Sequence, residues 1–397
     1  MENNKVLLAF SGGLDTSYSV KYLKHEKQLD VYTAVANTGG FSPEELAEIE
    51  KKAMSLGATH HVALEQTEVF YSKIIRYLIY GNVLKNNTYP LSVSAERIHQ
   101  AVALAEYAKE IGAAYIAHGS TGAGNDQIRF DLVFQLVAPE IKIITPIRDQ
   151  TLSRKDEIEY LAKHGVEVDW KKAKYSINKG IWGTSVGGQE TLTSNLGLPE
   201  SAYPSQLTKE DSTKLALTFE KGELVGIDDE IMTPVAAIRK LEEIASAYAI
   251  GRDVHVGDTI IGIKGRVGFE AAAPVIIIKS HHTLEKHTLS KWQLHWKEQL
   301  GAWYGMFIHE AQYFEPVMRN IEAFLEDSQK LVSGKVFVEL NPYRFSIQGI
   351  ESKHDLMSSD FGDYGEVNKN WTGEDAKGFT KILANPMQLF NHVNKIL

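Results

Sequence analysis

Residues 6–17, VLLAFSGGLDTS, contain the feature that most constrains the fold: an apolar run ends at Ser-Gly-Gly and a helical pattern follows at once. A buried parallel strand that turns directly into a helix presents backbone N–H groups at the helix amino terminus, where an anion binds. The glycines let the backbone approach that anion, and Ser11, Thr16 and Ser17 add hydroxyl groups. Asp15 is informative because a carboxylate repels phosphate unless a Mg²⁺ ion lies between them.

We therefore predict a phosphate-binding loop in which Asp15 contacts Mg²⁺, directly or through water. Two alternatives are that Asp15 caps the following helix and that the glycines form only a tight turn. The loop lacks the Lys-Ser/Thr ending of Walker A and the G-x-G-x-x-G of dinucleotide sites.

Short apolar runs alternate with helical patterns from residue 1 to about residue 165. The predicted strands are 5–10, 31–37, 60–64, 113–118 and 142–146. Predicted helices begin at Ser42, followed by Pro43 and by Glu45 in a capping box, at Ser94, and at Ser153, followed by Asp156. Strands that alternate with helices imply a parallel sheet covered on both faces. The predicted fold class is α/β, with a doubly wound parallel sheet.

The character of the chain changes after Trp170. Residues 171–198 are rich in Gly, Ser, Thr and Asn with little periodicity, so they are predicted to form a long functional loop. Mixed strands and helices follow, including helices at Thr233 and from about 314 to 331, and they indicate an α+β domain. The tail from Asp375 is apolar on one face and is predicted to break at Pro386. The predicted domains are 1–168, 169–365 and a helical tail over 366–397.

The formal net charge of −9 disfavours a general nucleic-acid binder, because phosphate neutralisation needs a basic face. The longest apolar run, residues 271–278, is too short to span a bilayer, and no secretory signal is readable. We therefore expect a cytoplasmic protein with no membrane and no nucleic-acid partner. The absence of cysteine excludes disulfides, thiolate metal sites and a cysteine nucleophile.

A second polar stretch, AHGSTGAGNDQIRFD at residues 117–131, follows the fourth predicted strand. Ligands on open α/β sheets bind beyond the carboxyl ends of the strands. Asn125, Asp126 and Arg129 offer an amide, an anion and a cation there, a set that holds an amino acid by both ends, with Arg for the carboxylate and Asp for the ammonium. A solvated polar loop is the alternative.

The loop SGGLDTS resembles the pyrophosphate-binding loop of the ATP pyrophosphatases (the PP-loop superfamily), which cleave ATP between its α and β phosphates. Within that superfamily, glutamine amidotransferases and transfer-RNA thiolases need cysteine, which this chain lacks. The remaining class takes its nitrogen from a small amine.

Four stretches resemble the argininosuccinate synthase family and occur in the same order. Residues 117–131 are similar to H-G-x-T-G-K-G-N-D-Q-x-R-F, with Ala123 in place of the usual Lys. Residues 89–98, YPLSVSAERI, are similar to Y-P-L-x-T-x-L-A-R-P, and residues 175–185, YSINKGIWGTS, to Y-S-x-D-x-N-L-W-G-x-S. Residues 375–379, DAKGF, are similar to D-A-x-G-F near the family's end.

The resemblance implies ATP and Mg²⁺, L-aspartate and citrulline as ligands. It places ATP at Ala9, Phe10, Ser11, Gly12, Gly13, Leu14, Asp15, Thr16, Ser17, Ala36 and Gly119. It places aspartate at Thr121, Asn125 and Asp126, and citrulline at Tyr89, Ser94, Asn125, Arg129, Ser176 and Ser185. Asp15, Asn125, Asp126 and Arg129 are the residues expected to serve catalysis.

The implied reaction belongs to arginine biosynthesis. The ureido oxygen attacks the α-phosphorus of ATP and releases pyrophosphate, and the aspartate amine then displaces AMP from the adenylated intermediate. Catalysis then rests on positioning and charge stabilisation rather than on a covalent nucleophile. The resemblance also implies a nucleotide domain, a synthetase and multimerisation domain, and a homotetramer. The apolar tail exceeds what a solvated terminus needs, so we expect it to dock on a neighbouring subunit.

Several departures from the family fall on the citrulline side. Gly187 and, by our alignment, Gly257 stand where the family has Glu, Asn178 stands for Asp, and Phe269 stands for Tyr. Carboxylates beside an amino-acid substrate most plausibly hold its α-ammonium, so their loss suggests a citrulline whose amine carries a succinyl or acetyl group. The alternative is plain citrulline with compensation by a neighbour such as Asp258.

Two other functions remain as alternatives. Another ATP pyrophosphatase would adenylate a different ureido or amide acceptor, but the intact aspartate residues favour the main interpretation. An ATP sensor with a decayed second site would show damage in the loop at 11–17, and none is seen.

Overall fold

A five-stranded parallel sheet organises the amino-terminal part of the computed structural model, which describes residues 4–122, 124–166, 175–358 and 370–396. The strand order is β3-β2-β1-β4-β5, which is the doubly wound arrangement predicted from the sequence. Ala123 and the predicted domain boundaries after 168 and after 365 lie outside the described residues.

The elements of this part are β1 (Lys5–Ala9), α1 (Leu14–His25), β2 (Asp30–Asn37), α2 (Pro43–Leu56), β3 (His60–Glu65), α3 (Thr67–Phe70) continued by a π turn (Tyr71–Ile75) and α4 (Arg76–Tyr80), α5 (Ser92–Glu110), β4 (Tyr115–Ala117), α6 (Asp126–Val137), β5 (Lys142–Ile144), α7 (Pro146–Asp149) and α8 (Arg154–Lys163). Local signals explain several helix starts. The Ser42 hydroxyl accepts from the Glu45 amide at 3.2 Å, and the Glu45 carboxylate accepts from the Ser42 amide at 2.8 Å. Ser153 and Asp156 form the same capping box.

The central strands of this sheet are buried on both faces. Leu7 and Ile116 pack with helices α5 and α6 on one side, whereas Leu8 and Val35 pack with α1 and α2 on the other. This two-sided burial explains why the strands appear in the sequence as continuous apolar runs rather than alternating ones.

The following part contains two antiparallel sheets, with strand orders β10-β9-β8-β13-β14 and β11-β12-β7-β6. Its strands are β6 (Ser176–Gly180), β7 (Gly183–Gly187), β8 (Thr213–Glu220), β9 (Glu223–Ile227), β10 (Glu230–Ile231), β11 (Arg252–Asp258), β12 (Lys264–Glu270), β13 (Gly334–Asn341) and β14 (Arg344–Glu351). Its α-helices are α9 (Pro234–Ser246), α10 (Ala272–Thr288), α11 (Lys291–His309) and α12 (Pro316–Ser328), and short 3₁₀ turns occupy Gln189–Leu192, Glu200–Ala202, Gln329–Leu331 and Leu356–Ser358.

The prediction of a long loop over 171–198 is wrong, because β6 and β7 form a hairpin within it. The hairpin turns at Trp182, which is fully buried and donates its indole N–H to the Pro90 carbonyl at 3.0 Å. The strands escaped the sequence pattern because they are made largely of Gly, Ser, Thr and Asn and lack apolar alternation. Residues 171–174 lie outside the described part.

The tail forms a single helix, α13 (Gly373–Asn394), so the predicted break at Pro386 is also wrong. None of its residues is buried, and its exposed apolar side chains include Phe379, Leu383 and Phe390. Among the described residues, no helix is both long and apolar enough to cross a membrane.

Candidate active site

A first cavity of about 670 Å³ opens where β1, β2 and β4 end. Of the residues predicted to bind ATP, those that line it are Ala9, Phe10, Ser11, Gly13, Leu14, Asp15, Thr16, Ala36 and Gly119. Gly12 and Ser17 do not line it. Ser17 is fully buried and its hydroxyl donates to the Gly13 carbonyl at 2.7 Å. Its side chain is therefore engaged within the helix rather than turned toward the cavity.

The conformation of the loop at residues 11–17 is stabilised by a contact with α2. Gly12 has a φ of +77°, a conformation that favours glycine. Its carbonyl accepts a hydrogen bond of 2.6 Å from the Lys52 ammonium on α2. Gly13 caps α1 and no side chain caps that terminus, so Asp15 does not act as the helix cap.

Asp15 has an acidic neighbour that the sequence analysis missed. Glu157 on α8 is only 3% exposed, interacts electrostatically with Asp15, and leaves its Oε2 atom without a hydrogen-bond partner. Burial, together with the adjacent Asp15 charge, raises the pKa of Glu157 to about 8. Oxygen donors of this kind suit Mg²⁺, which commonly binds one or two carboxylates together with phosphate oxygens.

A second cavity of about 580 Å³ adjoins the first. Its lining includes all residues predicted to bind aspartate or citrulline: Tyr89, Ser94, Thr121, Asn125, Asp126, Arg129, Ser176 and Ser185. Asp15, Gly119, Ser120 and Asp126 line both cavities. A group bound in one cavity therefore meets a group bound in the other at these residues.

Asp126 is held between two arginines at this junction. Arg129 donates to its Oδ1 atom at 3.0 Å and Arg97 to its Oδ2 atom at 3.2 Å. Burial alone would raise the pKa of Asp126, but Arg97 and Arg129 outweigh it and the pKa is lowered. Asp126 therefore presents a fixed negative charge.

Arg129 is also fixed by groups distant in sequence. Its Nη2 atom donates to the Ser94 hydroxyl at 3.0 Å and to the His309 carbonyl at 3.0 Å. The His309 ring lies 3.2 Å from the same hydroxyl. Burial and the nearby Arg129 charge lower the pKa of His309 to about 3, so its ring is neutral. His309 lies at the end of α11, and no sequence motif identified it.

Tyr89 lies under one wall of the second cavity. It is buried, and its hydroxyl accepts hydrogen bonds from the Ser92 hydroxyl at 3.2 Å and the Val93 amide at 3.1 Å. Its ring packs against His255 and Phe269, with ring centroids 5.2 Å and 5.3 Å away. Phe269 is therefore part of an aromatic cluster.

One face of the β11-β12-β7-β6 sheet forms that wall. Paired residues in an antiparallel sheet share a face, and the register pairs Phe269 with Ser185, Ser185 with Asn178, and Gly187 with Ser176. Gly257 pairs with Gly265, two steps along the same face from Val267. The positions that lack the family's carboxylates, 178, 187 and 257, therefore lie on one surface.

The glycines on this face leave different amounts of room. A Cβ atom at Gly187 would meet nothing closer than 3.9 Å, whereas one at Gly257 would lie 2.6 Å from His255 Nε2. Asp258, the substitute considered from the sequence, has a side chain 64% exposed and pairs with Lys264 at 2.7 Å. Asp258 lines the second cavity, but its carboxylate is thus already engaged with a lysine.

The sequence analysis also missed Glu96, Arg97 and Gln100, three residues of α5 that line the first cavity. Glu96 is 5% exposed, and its Oε1 atom accepts from Arg97 at 3.0 Å and from Gln100 at 2.8 Å. Burial raises the pKa of Glu96 to about 7 against the opposing effect of Arg97. The arginine of the Y-P-L-x-T-x-L-A-R-P pattern corresponds to Arg97 and could have pointed to these three residues from the sequence.

Two family models match the chain. The model described as the arginosuccinate synthase N-terminal HUP domain matches residues 5–167, and that of the arginosuccinate synthase C-terminal domain matches residues 175–390. The chain is 34% identical to the argininosuccinate synthase of Sulfolobus acidocaldarius over 381 residues, 95% of this chain and 96% of that protein. It is 36% identical to the enzyme of Dictyoglomus turgidum over 96% of both chains, and 33% identical to that of Xanthomonas campestris over both full lengths.

Proposed function

The chain belongs to the argininosuccinate synthase family, and from this premise we propose that its second substrate is a citrulline with an acylated α-amine. The family activity is a ligation of citrulline to L-aspartate that consumes ATP and forms AMP and diphosphate. The observation that carries the proposal is the sheet face on which Asn178, Gly187 and Gly257 replace the carboxylates of the family. Gly257 lines the second cavity together with Ser176 and Ser185 of the same face, and Asn178 lines the first.

The junction of the two cavities supports the order of events. ATP in the first cavity brings its α-phosphorus to Asp15 and Gly119, and the ureido group of citrulline approaches from the second cavity. The ureido oxygen attacks the α-phosphorus and pyrophosphate leaves. The protein then contributes by holding the two reactants in line, with backbone N–H groups of the loop at the phosphates.

Aspartate is proposed to bind at Thr121, Asn125 and Asp126. The fixed negative charge of Asp126 suits the α-ammonium group of aspartate. Its position in the lining of both cavities supports an attack of that nitrogen on the adenylated carbon. After the ammonium loses a proton, the amine attacks that carbon and AMP leaves. Asn125 is positioned in part by accepting from the Ile260 amide at 2.9 Å.

We propose Mg²⁺ as the companion of ATP, held at Asp15 with Glu157 behind it. The buried, unpartnered oxygen of Glu157 and the carboxylate of Asp15 fit a hard cation. When bound, the ion neutralises charge on the leaving phosphates.

The proposed acyl group is supported by the absence of negative charge on this sheet face. An α-ammonium beside this sheet face would exchange its hydrogen bonds to water for neutral hydroxyl acceptors without a compensating charge, at a cost of about 1–3 kcal/mol. An amide nitrogen carries no charge and needs only one acceptor. The hydroxyl groups of Ser176 and Ser185 on this face can satisfy an amide, and the space above Gly187 can receive an acyl chain.

A cytoplasmic homotetramer is the proposed working form. The exposed apolar face of α13 supports association, as do Trp292, Trp296 and Trp303 on α11, each more than half exposed. Tyr304 on the same helix is fully buried instead and belongs to the core. Exposed apolar surfaces of this extent commonly mark interfaces.

Pyrophosphate release from ATP and aspartate tests the substrate, with citrulline, N-acetylcitrulline and N-succinylcitrulline compared at equal concentrations. We expect turnover with an acylated form and a kcat/KM at least about tenfold lower with plain citrulline, because about 1.4 kcal/mol corresponds to each factor of ten. Equal or better turnover with plain citrulline would refute the acylation. Silence with all three would indicate another ureido or amide acceptor.

A further inference from the structure

Three departures from the family motifs meet at one buried arginine. Glu96 stands at the Ala of the Y-P-L-x-T-x-L-A-R-P pattern, Asn178 at the Asp of Y-S-x-D-x-N, and Gly180 at the Asn of the same pattern. They lie on two elements, α5 and β6, about 80 residues apart along the chain. Arg97 lies between them and keeps the identity that the family pattern has.

The guanidinium of Arg97 contacts both altered side chains. Its Nη1 atom donates to Glu96 Oε1 at 3.0 Å, and its Nη2 atom donates to Asn178 Oδ1 at 2.9 Å. Its Nε atom donates to Asp126 at 3.2 Å. The Nε atom of Arg97 therefore orients Asp126, while Glu96 and Asn178 fix the two terminal nitrogen atoms of the same guanidinium group.

Gly180 makes the position of Glu96 possible. A Cβ atom at residue 180 would lie 2.0 Å from Glu96 Oε2 and 3.1 Å from its carboxyl carbon. Both atoms belong to a side chain that is already fixed by Arg97 and Gln100. An asparagine at 180 and a glutamate at 96 therefore exclude each other in this packing.

We propose that the carboxyl group which the family pattern carries at position 178 has moved to Glu96, on the opposite side of Arg97, with Gly180 providing its space. Arg97 thereby keeps two acidic partners, Glu96 and Asp126, while Asn178 is a neutral amide on the same sheet face as Ser185. Glu96 is a positioning residue for Asp126 through Arg97. The consequence for the citrulline side rests on the proposed acylated substrate, but the exchange of partners around Arg97 does not.

Electrostatic interactions explain why the loss of the carboxylate at position 178 requires a carboxylate at position 96. The Arg97 side chain is 15% exposed, and a buried charge left without its partner is strongly destabilising. With Asn at 178 and no acid at 96, Asp126 would be the acidic partner of both Arg97 and Arg129, and would be less available to an incoming ammonium. With Asp at 178 and Glu at 96, three carboxylates would crowd one guanidinium.

A double-mutant cycle tests the move, using Glu96→Ala, Asn178→Asp and the combination of the two in the full-length enzyme at pH 8. We expect Glu96→Ala to raise the KM for aspartate about tenfold or more and to change kcat much less. Adding Asn178→Asp should bring that KM back to within about threefold of the parent value. Glu96→Gln, which keeps the acceptor oxygen without the charge, is the matched control and should fall between parent and Glu96→Ala.

Thermal unfolding of the same proteins without substrates provides a readout independent of citrulline. Each single change should lower Tm and the double change should lower it less than the sum of the two, and Gly180→Asn should be tolerated only when Glu96 is replaced. Additive effects in both KM and Tm would overturn the exchange, because residues that share no partner show additive effects. If plain citrulline proves to be the substrate and the effects in the double-mutant cycle are still non-additive, only the proposal of an acylated substrate is refuted.

Discussion

Gly187→Glu restores one carboxylate to the sheet face that lines the second cavity and provides the sharpest test of the proposal that this face must be neutral. Residue 187 ends β7 beside Ser176, on the same face as Ser185. A Cβ atom there meets nothing closer than 3.9 Å, so the new side chain enters open space without displacing the backbone. Gly257→Glu is a poorer choice because its Cβ would press on His255 at 2.6 Å.

The expected magnitude follows from the strength of a hydrogen bond to a charged group. Such bonds contribute about 1.5–3 kcal/mol, which corresponds to roughly a 10- to 150-fold change in relative affinity. We expect the ratio of kcat/KM for plain citrulline to that for the acylated form to rise by this factor in Gly187→Glu. The gain should appear mainly in KM, because the ammonium lies away from the reacting ureido group.

Steady-state pyrophosphate release with each citrulline measures the ratio, and Gly187→Gln is the matched control of equal size without charge. The glutamine variant should lower the efficiency with the acylated substrate by occupying space, but should not improve plain citrulline. A ratio in Gly187→Glu within twofold of the parent, or the same change in both variants, would refute the reasoning that charge on this wall selects the substrate.

Three further outcomes are expected. Removal of residues 371–397 should reduce the assembly size in size-exclusion chromatography with light scattering, and an unchanged mass would contradict docking of α13 on a neighbour. Lys52→Met removes the 2.6 Å bond to the Gly12 carbonyl and should raise the KM for ATP by about fivefold, whereas Lys51→Met on the same helix should not. His281 is fully buried, and burial lowers its pKa from 6.5 to about 4. The unfolded chain therefore binds the proton first, and the free energy of unfolding should fall by up to about 3 kcal/mol between pH 6.5 and pH 4. Urea denaturation should show a weaker pH dependence for His281→Gln than for the parent.

The amino-terminal fold was predictable because local and global signals agree there. Apolar runs, glycine turns and the capping boxes at Ser42 and Ser153 each specify an element without help from distant residues. The hairpin at 176–187 was not predictable, since its strands carry small polar residues on the face turned to a cavity. Such strands lack the period-two apolar pattern because the side chains on one face line a cavity instead of packing into a hydrophobic core.

The candidate site likewise contains residues that local sequence motifs identify and residues that they do not. The residues proposed to bind phosphate or amino acid lie in contiguous motifs, and the structure places Thr121, Asn125, Asp126 and Arg129 around one cavity. The residues that orient them are distributed: His309 meets Arg129 across 180 positions, and Glu157 meets Asp15 across 142. Contacts between elements of unrelated sequence leave no local pattern to read.

The departures from the family become interpretable only in this spatial arrangement. Five of them, at 96, 178, 180, 187 and 257, are scattered along the sequence. In the structure all but the first lie on strands of one sheet, and the first contacts that sheet through Arg97. Random drift would have no reason to remove negative charge from the wall at 178 and 187 while supplying a new carboxyl at 96, on the far side of the arginine. The arrangement is what is expected if the wall must be neutral for its substrate while Arg97 and Asp126 must stay charged for aspartate.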